Sequence, residues 1–584
     1  MSIHLCVAPA AAGKTAYAVS RVRAAATLRR QVTVCVASQL QRGSWHARLA
    51  KAGGTLGARV VTFGGLYRQC LNRVGLAVTE LDPPVQQRVL RMVLAQAGLE
   101  HYAALRNSPG FAQVLRRLCA ELKAAAITPE QFANGVRDLG GEPRLAELAT
   151  LYATYQQVLV SRGWADEEHL GLLTLDVLRS QPELGCDCAL FVLDGFDNLT
   201  TLQLEVLELL AQRAHEALIT LTGSIGGERR GDVHRRFDDT RARIEQALGI
   251  AAEPLPAAAV PSQSTLAQLE RRLYTGWLGG PSDGSVELIE AADRAGEVRA
   301  ALRWLKARIL VDGKAPGEVA LLARNVAPYR PYIQQTADEL GLPVRLLDGQ
   351  PLAGTPVIAA LLDLLQLLAP AAGGAGPALT RRLVVEAWRS PYLDLSPADI
   401  GPGDAEALDN VARQGRVLGG LSQWREAFER ILGRREGLDR EEDESPVELA
   451  DHARVSALWQ KLQRFVEWLT PPDGNAGLRA LVQWLETLID PEGEGEAVSL
   501  RVRERATAAR GVAAEWDLEA LRALKSVLRG LVWAELNLRS GDAADFAAFY
   551  RDLRAAVEVS TVRLSADAAN DAIYVADVVQ ARGV

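Results

Sequence analysis

Cysteine and histidine are scarce in this chain, with six of the first and seven of the second. Neither residue is arranged for metal binding. Cys186-Asp187-Cys188 is the only close cysteine pair, no second Cys or His pair stands at zinc spacing, and no HExxH occurs. A zinc enzyme and a disulfide scaffold are therefore excluded, and the pair reads as two loop or core thiols before a strand. The six thiols are spread through apolar segments, four of them where a strand or helix would bury them. Long apolar runs are also missing. The best, Thr355 to Leu368, is interrupted by Asp363 and Gln366, so no transmembrane helix is expected. MSIHLCVAPAAAGKT lacks the basic, apolar and small-residue order of a leader. A soluble cytoplasmic chain is the expectation. Positive charge is not in excess either: the formal net charge is -7. Any contact with nucleic acid must then come from local patches, not from the bulk field.

What is present is an ordinary globular composition, 48% apolar and 23% charged, on a chain of 584 residues. That length implies about four domains or subdomains. In the first 75 residues short apolar runs alternate with helix patterns: Ile3–Ala8, Val32–Ala37 and Arg59–Phe63 as strands, Lys14–Arg30 and Leu66–Val74 as helices. Strands apolar on both faces and separated by helices imply a parallel sheet covered on both sides. Residues 81–180 read as consecutive amphipathic helices, after which strands return at Ala189–Asp194 and Ala217–Leu221. A Pro/Ala/Gly/Ser-rich stretch, 251–284, marks a linker.

The second half repeats the plan. Strand signals fall at Val286–Ala291, Val319–Ala323, Val344–Leu347 and Ile573–Val579, and helices at Ala295–Leu310, Pro331–Leu340 and Pro356–Leu368. The expected fold class is α/β, with two domains each split by a large α-helical insertion. The first domain is 1–80 with 181–250, its insertion 81–180; the second is 285–375 with 566–584, its insertion 376–565. The chain stops in QARGV straight after a strand, which reads as a truncation.

The sharpest chemical signal is Ala8-Pro9-Ala10-Ala11-Ala12-Gly13-Lys14-Thr15, between an apolar strand and a helix. It nearly fits the phosphate-binding loop GxxxxGK[ST]. Backbone N–H groups of Ala11, Ala12 and Gly13 and the helix N-terminus would cradle phosphates, Lys14 would reach the β/γ-phosphates and the Thr15 hydroxyl would hold Mg²⁺. Lysine itself is rare here, seven residues against 58 arginines. GK[ST] would arise by chance roughly 0.06 times in such a chain. The loop's first glycine is replaced by Ala8, where glycine would allow backbone angles that alanine resists. The partner motif, an apolar strand ending in an acid, is Ala189-Leu-Phe-Val-Leu-Asp194, with Asp194 in the Mg²⁺ shell. A motor needs a base next, to orient the attacking water. Here that residue is Gly195.

These segments resemble a known family. The loop, VASQLQ (Val36–Gln41), VVTFGGLYRQCL (Val60–Leu71) and FVLDGFDNLTTLQLEVLELL (Phe191–Leu210) are similar to AddB, a component of the AddAB helicase–nuclease. EAADRAGEVRAALRWL, VALLARNVAPYRPYI, GLPVRLLDGQPLAGTPVIAALLDLLQLL and the final IYVADVVQARGV agree. The resemblance spans nearly the whole chain and implies the superfamily 1 helicase plan, two RecA-like P-loop domains. It implies a largely inactivated helicase part, which Gly195 matches. It also implies binding of single-stranded DNA and duplex ends, a heterodimer with an AddA-like helicase–nuclease subunit, and a role in double-strand-break repair. No membrane partner is implied. A PD-(D/E)xK nuclease domain with an iron–sulfur cluster would lie after residue 584. Asp312-Gly-Lys314 and Glu121-Leu-Lys123 carry the D/ExK letters but read as surface charges.

Other candidates are weaker. Arg324, ending a strand, would face the nucleotide cleft or DNA, and Gln580 and Arg582 match the family's last segment. Thr62 and Phe63 end the third strand, where single-stranded DNA would lie; Phe63 would stack on a base or sit in the core. The expectation is an AddB-like portion that binds DNA and ATP, with Mg²⁺, and hydrolyses weakly or not at all. The alternatives are an autonomous superfamily 1 translocase and a nucleotide-free scaffold for an AddA-like partner.

Overall fold

The Ile3–Ala8 run becomes an interior strand of a six-stranded sheet in the computed structural model of the chain. The structure describes every residue except 1, 28–29, 226–230, 257–263, 275–278, 280–281, 348, 371–376, 437–445, 473–476, 491–498, 509–511, 539–544, 564–571 and 582–584. The strands are β1 (Ser2–Ala8), β2 (Gln31–Val36), β3 (Ala58–Val61), β4 (Cys188–Asp194), β5 (Glu216–Thr222) and β6 (Glu253–Pro254). They lie in the order β3-β2-β4-β5-β1-β6, and every neighbouring pair is parallel.

Alternation along each strand sends successive side chains to opposite faces, and both faces are covered. Cys6, Val34, Val192 and Leu218 pack with helix α1 (Lys14–Ala25) and helix α2 (Gln39–Lys51). Leu5, Cys35, Phe191, Leu193 and Ile219 pack with helix α3 (Phe63–Arg73), Glu167–Ser180 and Thr201–Arg213. This explains why the strands read as continuous apolar runs. Cys6, Cys35, Cys70 and Cys119 are the four buried thiols. Helix α1 stops at Ala25, short of the expected Arg30, because Ala26 turns extended. Helix α3 starts at Phe63, with Thr62 in the N-cap position, so the third strand is shorter than expected.

The second half forms a three-stranded parallel sheet from β7 (Ala320–Ala323), β8 (Val344–Leu346) and β9 (Ile573–Asp577), in the order β8-β9-β7. Helices Arg294–Val311 and Arg330–Leu340 pack on it through Val298, Leu302, Leu305, Ile333 and Ala337. The strand expected at Val286–Ala291 does not form. Those residues are exposed, Leu288 by 92%, and the Glu287 carboxylate accepts a bond from the Trp304 indole. Apolar composition alone makes no strand without a neighbouring backbone to pair with.

The chain divides into two compact units. One comprises 1–81, 114–347 and 567–584 and carries the six-stranded and the three-stranded sheets; the other comprises 82–113 and 348–566. Within the second unit the Pro83–Gln96 helix is joined to the later segment by ion pairs, Arg88 with Glu535 and Arg91 with Asp552. Its core is helical, built around Leu361, Leu365, Trp424, Phe428, Phe465 and Leu528. Trp388 and Trp424 are buried in it as packing residues.

One surface assignment is overturned. Lys123 is fully buried, its ammonium 2.6 Å from an Asp166 carboxylate oxygen that also accepts from the Tyr155 hydroxyl. A buried lysine persists only when paired in this way. Asp166 also caps the Glu167–Ser180 helix through the His169 N–H, and burial pushes the His169 imidazole down to about 4. No described helix is long and apolar enough to cross a membrane.

A candidate nucleotide site at the strand ends

Parallel strands put all their carboxyl ends on one edge, and the loop between β1 and α1 leaves from that edge. Ala8 is the last strand residue, paired with Thr222 and buried. It is extended there, so the missing first glycine exacts no backbone strain. The left-handed angles fall further on, at Ala11 (φ 58°) and at Gly13 (φ 90°), the N-cap residue of α1. Gly13 supplies its angle without the penalty a side chain brings. The Gly13 carbonyl accepts from the Tyr17 N–H at 2.9 Å and opens the helix.

Lys14 folds back over this loop. Its ammonium donates to the Pro9 carbonyl at 2.6 Å and the Ala8 carbonyl at 3.1 Å. Burial lowers its pKa below the usual lysine value, against the opposing attraction of Asp194 and Glu270. Charge-assisted bonds to neutral carbonyls hold the ammonium where phosphate oxygens would be stronger partners.

Thr15 and Asp194 meet, although 179 positions separate them: the Thr15 hydroxyl donates to an Asp194 carboxylate oxygen at 3.0 Å. The Trp45 indole N–H, from α2, donates to the same oxygen at 2.9 Å, and the Thr220 hydroxyl, from β5, donates to the other. Asp194 is only 3% exposed, so this carboxylate is fixed by three elements. Trp45 and Thr220 carry no motif, and sequence reasoning missed both. Their one signal is position, on the strand and helix beside the acid.

Gly195 follows with φ 83°. A Cβ there would lie 2.6–2.9 Å from the Gln41 amide atoms. Gln41 is buried, accepts from the Ala37 N–H at 2.8 Å and donates to the Gly195 carbonyl at 3.2 Å. The space a side chain at position 195 would take is therefore filled by an amide whose oxygen and nitrogen are both engaged.

The remaining candidates are dispersed. Thr62 is half-buried and makes no cap bond through its side chain. Phe63 is 6% exposed, its ring against Phe196 and Tyr67, so it belongs to the core and offers no face to a base. Arg324 is exposed just past β7. Gln580 lies in the turn after β9, its side chain accepting from the Asp577 N–H at 3.3 Å. Since β7 and β9 are paired neighbours, Arg324 and Gln580 share one sheet edge. Arg582 lies outside the described residues.

Comparison with known proteins bears on the same segments. Residues 6–271, which contain the loop, Asp194 and Gly195, match the family model for the AddB N-terminal region. That stretch of the chain is similar to AddB. Curated relatives extend the match, and all three that follow are B-type subunits of an ATP-dependent helicase/deoxyribonuclease. The chain is 25% identical over 414 residues to that of Desulforudis audaxviator, covering 66% of this chain and 34% of that protein. It is 24% identical over 438 residues to that of Symbiobacterium thermophilum, covering 69% and 36%. That of Pelotomaculum thermopropionicum is 26% identical over 392 residues, covering 61% and 33%. The matched stretch is about a third of the length of each of these relatives.

Proposed function

We propose that this chain is the helicase-like portion of an AddB-like subunit, which binds DNA and Mg·ATP with weak or no hydrolysis and acts with an AddA-like partner in double-strand-break repair in the cytoplasm. Its six-stranded and three-stranded sheets are read as two RecA-like domains. The observation that carries the proposal is the Thr15–Asp194 contact with Gly195 behind it.

The donor set fits a nucleotide with its cation. The N–H groups of Ala11, Ala12 and Gly13 and the start of α1 cradle phosphate, and Lys14 exchanges carbonyl partners for phosphate oxygens. Mg²⁺ takes oxygen ligands and keeps several waters. The Thr15 hydroxyl and the Asp194 carboxylate, already side by side, suit it directly or through water. Bound there, the cation neutralises phosphate charge. Residue 195 cannot hold an attacking water, and Gln41 cannot do so without leaving Ala37 and Gly195. Binding without efficient turnover follows.

DNA is assigned to the strand ends that carry Thr62, Arg324 and Gln580, and to Arg582, which lies outside the described residues. Nuclease and iron–sulfur chemistry are not assigned to this chain.

The test is equilibrium binding of Mg·ATP to the purified chain, with Lys14→Ala in parallel and DNA-stimulated ATP turnover measured on the same samples. Micromolar binding lost in the variant, with turnover near background, is the expected result. Fast DNA-stimulated turnover would overturn the inactive-motor reading in favour of an autonomous translocase. No binding by the folded wild-type chain would leave the scaffold reading.

A further inference from the structure

The second unit holds a cavity of about 640 Å³ that the nucleotide site does not use. It lies between the Arg381–Arg389 and Asp404–Gly415 helices, and Arg381, Arg382, Arg389 and Arg413 line it. The volume is in the range of sites that enclose a small ligand or one unit of a polymer.

The arginines are held in place. Asp409 is buried, and its two carboxylate oxygens are divided between helices. Arg381 contacts one oxygen through Nε at 2.8 Å and through Nη2 at 2.7 Å, and Arg413 contacts the other at 2.8 Å. One carboxylate thus positions two guanidinium groups at the cavity wall and neutralises only one of them. Arg382 pairs with Glu386 and Arg389 with Glu406, contacts of 3.2 and 3.1 Å between exposed groups. Such pairs are weak and readily exchanged for a better partner. Beside them the exposed Leu418 side chain and Val417 form an aliphatic wall.

We propose that this cavity binds the sugar–phosphate backbone of nucleic acid, the arginines taking phosphate oxygens and the aliphatic wall lying against sugar. The planar guanidinium fork matches phosphate bidentately. Backbone contacts of this kind fix position and carry no sequence information. The proposal deepens the DNA-binding reading above and rests on it for the choice of a phosphodiester over a carboxylate-rich peptide.

Arg382 and Arg413 are 68% and 65% exposed, so truncating both leaves the fold intact. Binding of a fluorescent oligothymidylate is measured for the wild-type chain, for Arg382→Ala/Arg413→Ala, and for Arg479→Ala/Arg503→Ala as a control of equal charge change in the same unit. The expected result is a loss of about tenfold in the cavity variant, with its salt dependence shallower by roughly 1.4 for two lost phosphate contacts. The control loses less than about twofold. Equal losses in both variants would reduce the effect to net charge and overturn the site, as would stronger competition by polyglutamate than by unlabelled oligonucleotide.

A fluorophore on Leu418→Cys, in a Cys186→Ser background, separates the two readings. If the wild-type chain binds no oligonucleotide, the DNA reading fails. Inorganic tripolyphosphate then decides the cavity: a signal change abolished by Arg382→Ala/Arg413→Ala retains an anion site, and no change removes it.

Discussion

Two parallel strands in this molecule end in an aspartate, and the two acids are held differently. Asp194 closes β4 in a sheet covered on both faces, and its carboxylate collects hydrogen bonds from a threonine in the first turn of α1, a tryptophan of α2 and a neighbouring strand. Asp577 closes β9 in the smaller sheet. Its carboxylate accepts from the Val326 N–H at 2.7 Å, and its own N–H is held by Gln580. Both carboxylates reach distant parts of the chain, but the first gathers three side-chain donors from three elements and the second a single backbone N–H. The helices α1 and α2, packed against the larger sheet, bring two of these donors to Asp194, much as helix packing alone gathers three donors on Asp166.

Removing the two acids should separate them most clearly. Asp194→Ala strands a buried indole N–H and two hydroxyl groups, each of which costs about 1–3 kcal/mol when left unsatisfied. A loss of about 3–5 kcal/mol is expected where these donors find no new partner. Asp577→Ala removes one backbone bond at a half-buried position, for about 1 kcal/mol. Denaturant unfolding of both variants measures the gap. Equal losses would mean that the Asp194 donors re-pair freely and that the carboxylate is not preorganised by them.

A smaller effect sharpens the comparison at the next residue. Gly195→Ala combines a left-handed backbone angle with a contact of 2.6 Å to the Gln41 amide nitrogen. Left-handed strain is about 1–2 kcal/mol and overpacking adds about 1–3, so a loss of about 2–5 kcal/mol is expected. Gln41→Ala removes the contact but leaves the strain. The double variant should therefore be more stable than the sum of the singles by about 1 kcal/mol or more. Strict additivity would show that Gln41 does not close the space beside Gly195.

Much of this was legible in the sequence for a physical reason. Strands buried on both faces have to be apolar throughout, so β1, β2, β4 and β5 announced themselves, and Gly13-Lys14-Thr15 needs no tertiary context to be recognised. The failures share the opposite cause. Val286–Ala291 has the composition of a strand, but pairing depends on a neighbour. Lys123 looks like a solvated charge until Asp166, 43 residues on, is brought against it. Trp45, Thr220 and Gln41 complete the candidate site through contacts that no local pattern encodes. Phe63 had two readings of equal weight, and only the position of Phe196 decided for the core.

The smallest expected effect concerns Lys14, and it distinguishes a residue selected for ligand from one selected for stability. Burial lowers its pKa, so the folded state releases this proton at a lower pH than the unfolded chain does. Between that lowered value and the ordinary lysine value of 10.5 the unfolded chain holds more protons, and stability rises with pH. Below the window the charged ammonium disfavours the fold by the part of its desolvation cost that the attraction of Asp194 and Glu270 does not offset. Lys14→Met removes that cost, so the variant should be slightly more stable than wild type at neutral pH, with the advantage vanishing as pH approaches 10.5. Mg·ATP should reverse the order at neutral pH, because only the wild-type chain gains stabilisation from a ligand that binds the folded state. Thermal unfolding of both chains, with and without nucleotide, reads all three outcomes. A variant less stable than wild type in the absence of nucleotide would make Lys14 a structural residue, held by the Ala8 and Pro9 carbonyls for their own sake.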